Sequence, residues 1–259
     1  MSPYRKLPYP ELLYRKLLHA IDNHGLLGLV RRALGKLSRR PDPAPHLNQP
    51  DQPHPFDLAH HVDTSGYIPG EQLTPSLTPW GSALYNTAYY GISPSTLAHA
   101  LQLLPEATSG FAFVDLGCGK GRALLVAAQF PFRSILGVEI APDLVRIAQS
   151  NAASEPRIVV QQQDALKVTY PDGPLVVFLY HPFLAPQLRR VLANLERQRR
   201  GSRHPTYLLY ANCTYPKLLA RFPFLQQVWD YSIPLSAEDA AADRHGITHE
   251  RFTLYRAHC

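Results

Sequence analysis

Three alternating glycines, Gly117, Gly119 and Gly121, directly follow an apolar run, and helix-forming residues follow them at 123–130. This order predicts a strand, a tight turn and the start of a helix. Glycines lack Cβ atoms, so they permit unusual backbone dihedrals and close approach of a ligand, and the unpaired N–H groups of the first helical turn point towards that ligand. The segment is therefore a candidate site for a nucleotide-like cofactor.

The spacing of the glycines separates two classes of cofactor. A dinucleotide fingerprint requires G-x-G-x-x-G, and its third glycine, counted from Gly117, would fall on Arg122. The pattern here is D-x-G-x-G-x-G, with Asp115 at the strand end and Glu139 at the end of the next apolar run, residues 135–138. An oxidoreductase that uses a dinucleotide is thus disfavoured.

The glycine pattern and the acidic residue after it resemble the binding motif of class I S-adenosylmethionine-dependent methyltransferases. The resemblance covers residues 56–258 and implies S-adenosylmethionine as cofactor, held by Asp115, Glu139 and the three glycines. Glu139 is expected to accept hydrogen bonds from the two ribose hydroxyls, because a carboxylate has two acceptor oxygens. Asp164 resembles the family's acidic residue near the adenine amino group, and it is equally suited to cap the helical segment that follows.

Two segments outside the glycine loop resemble one group of bacterial methyltransferases. Residues 56–66 contain a D-T-x-G turn, and residues 90–96, which begin with Tyr90, form the Tyr- and Pro-containing stretch that follows it. The resemblance implies that both fold over the cofactor as a lid. For Asp63 and Thr64, a turn closed by their own side chains is at least as good an interpretation.

The methyl acceptor is expected at the end of the fourth strand, against Tyr180, His181 and Phe183. Amine-methylating members of the class carry an Asn- or Asp-Pro-Pro-aromatic motif here, and the relatives show Tyr-Asn-Pro-Phe. This chain has His181 in place of the asparagine, so amine specificity does not carry over. An imidazole can act as a base near neutral pH, whereas a strand-end histidine can also simply bond the backbone.

Strands and helices alternate after the glycine loop, which predicts a parallel sheet with helices on both faces and ligands at the carboxyl ends of its strands. The fold class is α/β. The resemblance implies a Rossmann-like, doubly wound, seven-stranded, mostly parallel sheet with the order 3-2-1-4-5-7-6 and a final hairpin. An acidic, alanine-rich insert at residues 237–243 interrupts that hairpin, either as a cover for the substrate mouth or as plain surface.

The excess positive charge is confined to the N-terminal arm. Residues 1–48 hold nine Lys or Arg and three Asp or Glu, whereas the remainder has 17 of each sign. Apolar residues at helical spacing between 11 and 37 predict two basic amphipathic helices, which either pack on their own domain or dock on an anionic surface or a partner protein. Because the remainder is balanced, there is no specific signal for nucleic-acid binding.

Six prolines between residues 41 and 55 predict a linker, which gives a helical arm at 1–40, a linker at 41–55 and a methyltransferase domain at 56–259.

Three scattered cysteines without a C-x-x-C pair argue against a disulfide framework and against a metal site. The same cysteines indicate a reducing compartment, so a cytoplasmic enzyme is expected. No apolar run is long enough to span a bilayer, so the protein is expected to be soluble. The methyl acceptor is left open: it is a nitrogen or an oxygen, on a protein side chain or on a small molecule. The alternative to an enzyme is a non-catalytic S-adenosylmethionine-binding module.

Overall fold

The computed structural model describes residues 52–70, 73, 88–243 and 246–258 of the 259-residue chain. The helical arm predicted at 1–40 and most of the linker predicted at 41–55 lie outside the described residues. Both therefore stay predictions. Among the described residues, no helix is long and apolar enough to cross a membrane.

Seven strands form the main sheet, in the order β5-β4-β3-β6-β7-β9-β8. All neighbours are parallel except the last two pairs, in which β9 runs antiparallel to both β7 and β8. If the seven strands are numbered one to seven along the chain within this sheet alone, their order is 3-2-1-4-5-7-6, as the sequence resemblance implied. The strands are β3 (Ala112–Leu116), β4 (Ser134–Glu139), β5 (Ile158–Gln162), β6 (Leu175–Tyr180), β7 (Thr206–Ala211), β8 (Leu225–Pro234) and β9 (His249–Ala257), beside a separate two-stranded ribbon of β1 (Tyr67–Ile68) and β2 (Tyr89–Tyr90).

Most of the helices start with a proline in the first turn, where the missing N–H costs nothing and the fixed φ suits the helix. The helices in the described residues are α1 (Pro55–His60), α2 (Pro94–Gln102), α3 (Arg122–Ala127), α4 (Pro142–Asn151), α5 (Ala185–Arg199), α6 (Pro216–Leu219) and α7 (Ala237–Ala242), with a 3-10 helix at Ala165–Lys167. The predicted insert at 237–243 is thus mainly helical. Its N-cap is Ser236, whose hydroxyl accepts a hydrogen bond from the Asp239 N–H.

The core has two layers, one on each face of the sheet. Apolar side chains of α2, α3 and α4 pack on the face that carries Phe113 and Phe178, and those of α5 and α6 pack on the face that carries Val114 and Val177. All five residues of β3 are buried, as expected for a central parallel strand covered on both faces. Because β4 and β6 flank β3 on opposite sides, their connections diverge, and a crevice opens beyond the carboxyl end of β3.

Candidate active site

A cavity of about 520 Å³ occupies this crevice. Nine of the ten site residues predicted from the sequence line it: Tyr90, Asp115, Gly117, Gly119, Glu139, Asp164, Tyr180, His181 and Phe183. Gly121 does not line it. Gly121 is the N-cap of α3, and a Cβ added there would lie 3.3 Å from the Ala148 Cβ, so this glycine permits close packing of α3 on α4.

The glycine loop adopts backbone conformations that only glycine takes without strain. Gly117, Gly119 and Gly121 have φ angles of 86°, 55° and 89°. A Cβ on Gly119 would lie 2.3 Å from the ring of Tyr89, and one on Gly117 would lie 2.8 Å from Pro182. The loop therefore brings its backbone directly against both walls of the cavity.

Glu139 is buried at the end of β4, and its carboxylate joins that strand to the glycine loop. Its Oε2 accepts a hydrogen bond from the Gly119 N–H at 3.0 Å, and its Oε1 accepts from the N–H groups of Ile140 and Ala141. Burial raises the pKa of Glu139, and these three hydrogen bonds oppose the rise. Since a carboxylate has about four lone-pair sites, Oε2 retains one acceptor position for a ligand.

The other two predicted acidic residues have different surroundings. Asp115 is buried below the glycine loop, and burial together with the nearby Glu139 raises its pKa well above the usual range. Asp164 caps the 3-10 helix after β5, because its Oδ1 accepts from the Leu166 N–H at 2.9 Å. Its side chain also lines the cavity, so capping and ligand contact are compatible there.

The segment with the D-T-x-G turn packs against the outside of the glycine loop. The Arg122 guanidinium donates to the Thr64 hydroxyl at 2.6 Å and to the Thr64 carbonyl, and it lies 3.6 Å from the Asp57 carboxylate. Lys120 donates to the carboxylate of Asp63 at 2.7 Å. Asp63 and Thr64 are absent from the cavity lining, so their contacts with the start of α3 account for them without a ligand, and a lid at this turn stays a prediction.

The ribbon of β1 and β2 reaches the cavity through its tyrosines. Tyr89 is buried, its ring lies against Gly119, and its hydroxyl donates to the Thr64 carbonyl at 2.6 Å. Tyr90 lines the cavity and donates its hydroxyl proton to Asp243 Oδ1 at 2.8 Å. The stretch that begins at Tyr90 therefore contributes a wall of the cavity, and its contact with a cofactor stays a prediction.

The opposite wall is built from the carboxyl ends of β6 and β7. His181 follows β6 with a φ of 34°, and Asn212 follows β7 with a φ of 51°; both side chains line the cavity. A positive φ is uncommon outside glycine, though asparagine and histidine tolerate it, and such strain gathers at functional sites. The Tyr180 and His181 rings meet edge to face, with centroids 4.9 Å apart. Aromatic groups thus dominate this end.

Residues 113–200 match the family model described as the methyltransferase domain. This stretch runs from the glycine-loop strand to the end of α5 and contains every predicted site residue except Tyr90. These residues are similar to a methyltransferase domain. The sheet order of the chain is the one that the resemblance to class I S-adenosylmethionine-dependent methyltransferases implied, and S-adenosylmethionine is the cofactor of that family.

No curated protein matches the chain. Solved structures are similar to about two thirds of it. The N-methyltransferase NodS from Bradyrhizobium japonicum, in complex with S-adenosyl-L-homocysteine, is 14% identical with a TM-score of 0.46 over 62% of this chain and 84% of that chain. The magnesium protoporphyrin IX methyltransferase from Synechocystis, with bound SAM, is 14% identical, and the match has a TM-score of 0.46 and covers 64% of this chain and 78% of that chain. Phosphoethanolamine N-methyltransferase 1 from Haemonchus contortus is 16% identical, and the match has a TM-score of 0.48 and covers 64% of this chain and 42% of that chain.

The sheet also carries a buried carboxylate that the sequence interpretation missed. Glu250, on β9, is 0% exposed; its Oε1 accepts from the Tyr180 hydroxyl at 2.9 Å and its Oε2 accepts from the Thr96 hydroxyl. Burial raises its pKa to about 7, even though these hydrogen bonds favour the charged form. A signal existed in the sequence, since strict alternation along β9 puts Glu250 on the same face as Phe252 and Leu254.

Proposed function

We propose that this chain is an enzyme that transfers the methyl group of S-adenosylmethionine to a nitrogen or oxygen acceptor. The observation that carries the proposal is the buried Glu139 carboxylate, bonded to the Gly119 N–H inside a cavity of about 520 Å³. A volume between about 300 and 1,000 Å³ is usual for sites that bury a small ligand. A free acceptor position on Glu139 Oε2 suits a ribose hydroxyl.

The cavity also offers surroundings for the rest of the cofactor. Ile140, Leu144, Ala165 and Leu166 give apolar lining next to Glu139 and Asp164, which fits an adenine ring whose amino group needs a polar partner. Asp115 and the glycine loop line the region beyond, where an amino-acid moiety would meet backbone N–H groups. When bound, S-adenosylmethionine supplies an electrophilic methyl group on a sulfonium.

The residues at the end of β6 would hold the acceptor. Methyl transfer from a sulfonium needs little more than alignment of the nucleophile, together with removal of a proton where the acceptor carries one. Phe183 and Tyr180 give aromatic walls, and the His181 imidazole is the group that can take up a proton near neutral pH. All three of these residues are half-buried.

Calorimetry with S-adenosylhomocysteine tests the cofactor site. Glu139→Ala should weaken binding by about 1.5 to 3 kcal/mol, the usual contribution of hydrogen bonds to a charged group. Glu155→Ala is a matched control, because Glu155 forms its hydrogen bonds with Arg157 outside the cavity. Equal affinity of the Glu139→Ala variant and the wild type would rule out the ribose assignment. A labelled-methyl assay on extract fractions then separates an enzyme from a non-catalytic binding module, since only an enzyme transfers label.

A further inference from the structure

The hydrogen bond between Tyr180 and Glu250 fixes the direction of the Tyr180 hydroxyl. When Glu250 is ionised, both of its oxygens accept, so the phenol must donate its single proton to Glu250 Oε1. The phenol oxygen then keeps only lone pairs for any further partner. Tyr180 lines the cavity, and it therefore offers a ligand a hydrogen-bond acceptor and no donor.

A second tyrosine at the same end has the same donor direction. Tyr90 donates its proton to Asp243 Oδ1, whose other oxygen accepts from the Ile247 N–H at 2.8 Å. Tyr90 and Asp243 are close enough to Tyr180 to add to the rise in its pKa, which burial and Glu250 dominate. Two phenols and two carboxylates from different elements are thus gathered at one end of the cavity.

The charge at this wall is negative and shielded from water. Glu250 is fully buried between β9, β6 and α2, and no cation forms an ion pair with it among the described residues. Two basic side chains line the cavity within the described residues: Arg190 is exposed, so water screens it more strongly, and the buried Arg122 lies 3.6 Å from the Asp57 carboxylate, which offsets its charge. An unscreened carboxylate behind an aromatic wall favours a cation next to that wall.

We propose that the end of the cavity at Tyr180 and Tyr90 is a site for an amine acceptor, with Glu250 as a specificity-determining residue that acts through the Tyr180 phenol. This inference rests on the proposed methyl transfer and narrows its acceptor to nitrogen. The amine arrives as an ammonium ion, which donates hydrogen bonds to groups that can only accept. A carboxylate acceptor is repelled at the same place.

The nucleophile of the transfer step is a neutral amine. The nitrogen lone pair forms the new N–C bond while the C–S bond breaks, and its electron pair leaves on the sulfur of S-adenosylhomocysteine. The proton lost by the ammonium before the attack goes to the His181 imidazole or directly to water. Tyr180 stays a hydrogen-bond acceptor throughout, because Glu250 accepts the hydrogen bond that its phenol donates.

Two cofactor analogues test this preference without an identified acceptor. S-adenosylhomocysteine has no group at the position of the transferred methyl, whereas sinefungin places a primary ammonium there. We expect wild-type protein at pH 8, where Glu250 is ionised, to bind sinefungin about tenfold or more tightly than S-adenosylhomocysteine in calorimetry, as hydrogen bonds to charged groups allow. Tyr180→Phe and Glu250→Gln should each bring that ratio towards one.

Tyr207→Phe is the matched control, because the Tyr207 hydroxyl donates to Glu106 at 2.7 Å away from the cavity lining, and its ratio should equal that of the wild type. Thermal unfolding of each variant identifies any that fails to fold, and the more conservative Tyr180→Phe then carries the test. Equal binding of the two analogues by the wild type would overturn the amine site and leave the proposed function standing. Failure of both to bind would instead overturn the proposed function. An unchanged ratio in Tyr180→Phe and Glu250→Gln would remove these two residues from the recognition of the ammonium.

Discussion

Glu250→Gln should make the protein more stable above pH 7. A carboxyl whose pKa is raised in the folded state binds its proton more tightly when folded than when unfolded. The free energy of unfolding therefore falls as the pH rises through the interval between the two values, and stability is lost rather than gained on deprotonation. Glutamine resembles the protonated acid in shape and carries no charge, so the variant escapes this loss.

The size of the stability difference follows from the interval between the pKa of Glu250 in the unfolded state and its pKa in the folded state. The pKa of Glu250 rises from an ordinary 4.5 to about 7, and each pH unit in between costs about 1.4 kcal/mol of unfolding free energy. The full cost is then about 3 kcal/mol above pH 7, and it vanishes near pH 4.5. For a domain of this size it corresponds to a rise of about 6 to 12 °C in the Tm of the variant.

The assay is urea unfolding of wild type and Glu250→Gln at several pH values between about pH 5 and pH 8, read as the difference between the two proteins. Taking the difference cancels the titration of other groups such as Asp57 and His54. Glu106 is an exposed glutamate that also accepts a hydrogen bond from a tyrosine hydroxyl, and Glu106→Gln should differ from wild type by less than about 0.5 kcal/mol throughout. A difference for Glu250→Gln that is flat with pH, or that grows towards acid, would refute the reasoning.

Three further perturbations test other parts of the site. Gly119→Ala should destabilise the fold by about 1 to 3 kcal/mol and weaken S-adenosylhomocysteine binding, because its Cβ would clash with a tyrosine ring; Gly110→Ala, with a positive φ but open space, measures the backbone strain alone. Removal of residues 1–48 should leave cofactor binding intact, and an insoluble or unfolded product would show that the arm belongs to the core. His181→Asn should lower turnover with one identified acceptor while S-adenosylhomocysteine affinity stays nearly unchanged, since asparagine tolerates the φ of 34°; equal turnover would mean that His181 only shapes the cavity.

The elements that could be predicted closely are those with a strong local pattern. The elements β6, α5 and β7 are of this kind, because each strand is an apolar run of six residues, the helix is a 15-residue amphipathic pattern, and such patterns have sharp ends. The placement of Asp115 and Glu139 at successive strand ends also follows from local order, since parallel strands bring their carboxyl ends to one edge. These features need no information about distant parts of the chain.

The contacts that were missed join residues far apart in sequence. Arg122 donates a hydrogen bond to Thr64, 58 positions earlier, which the glycine pattern does not indicate. Asp239 lies in the predicted insert and accepts from the backbone and hydroxyl of Ser95, 144 positions away. Spacing and periodicity describe one element at a time, so they do not reveal which side chains meet when α2 and α7 pack together.

The pair formed by Glu250 and Tyr180 shows why such a contact matters for function. The chemically similar pair of Glu106 and Tyr207 has an exposed glutamate, so its charge stays solvated. Glu250 instead keeps a carboxylate in the core at a cost of about 3 kcal/mol when it is ionised, which a glutamine would avoid. Stability alone therefore gives no reason for a glutamate at this position, whereas a negative charge that orients a cavity-lining phenol does, in the way that active sites commonly give up stability for function.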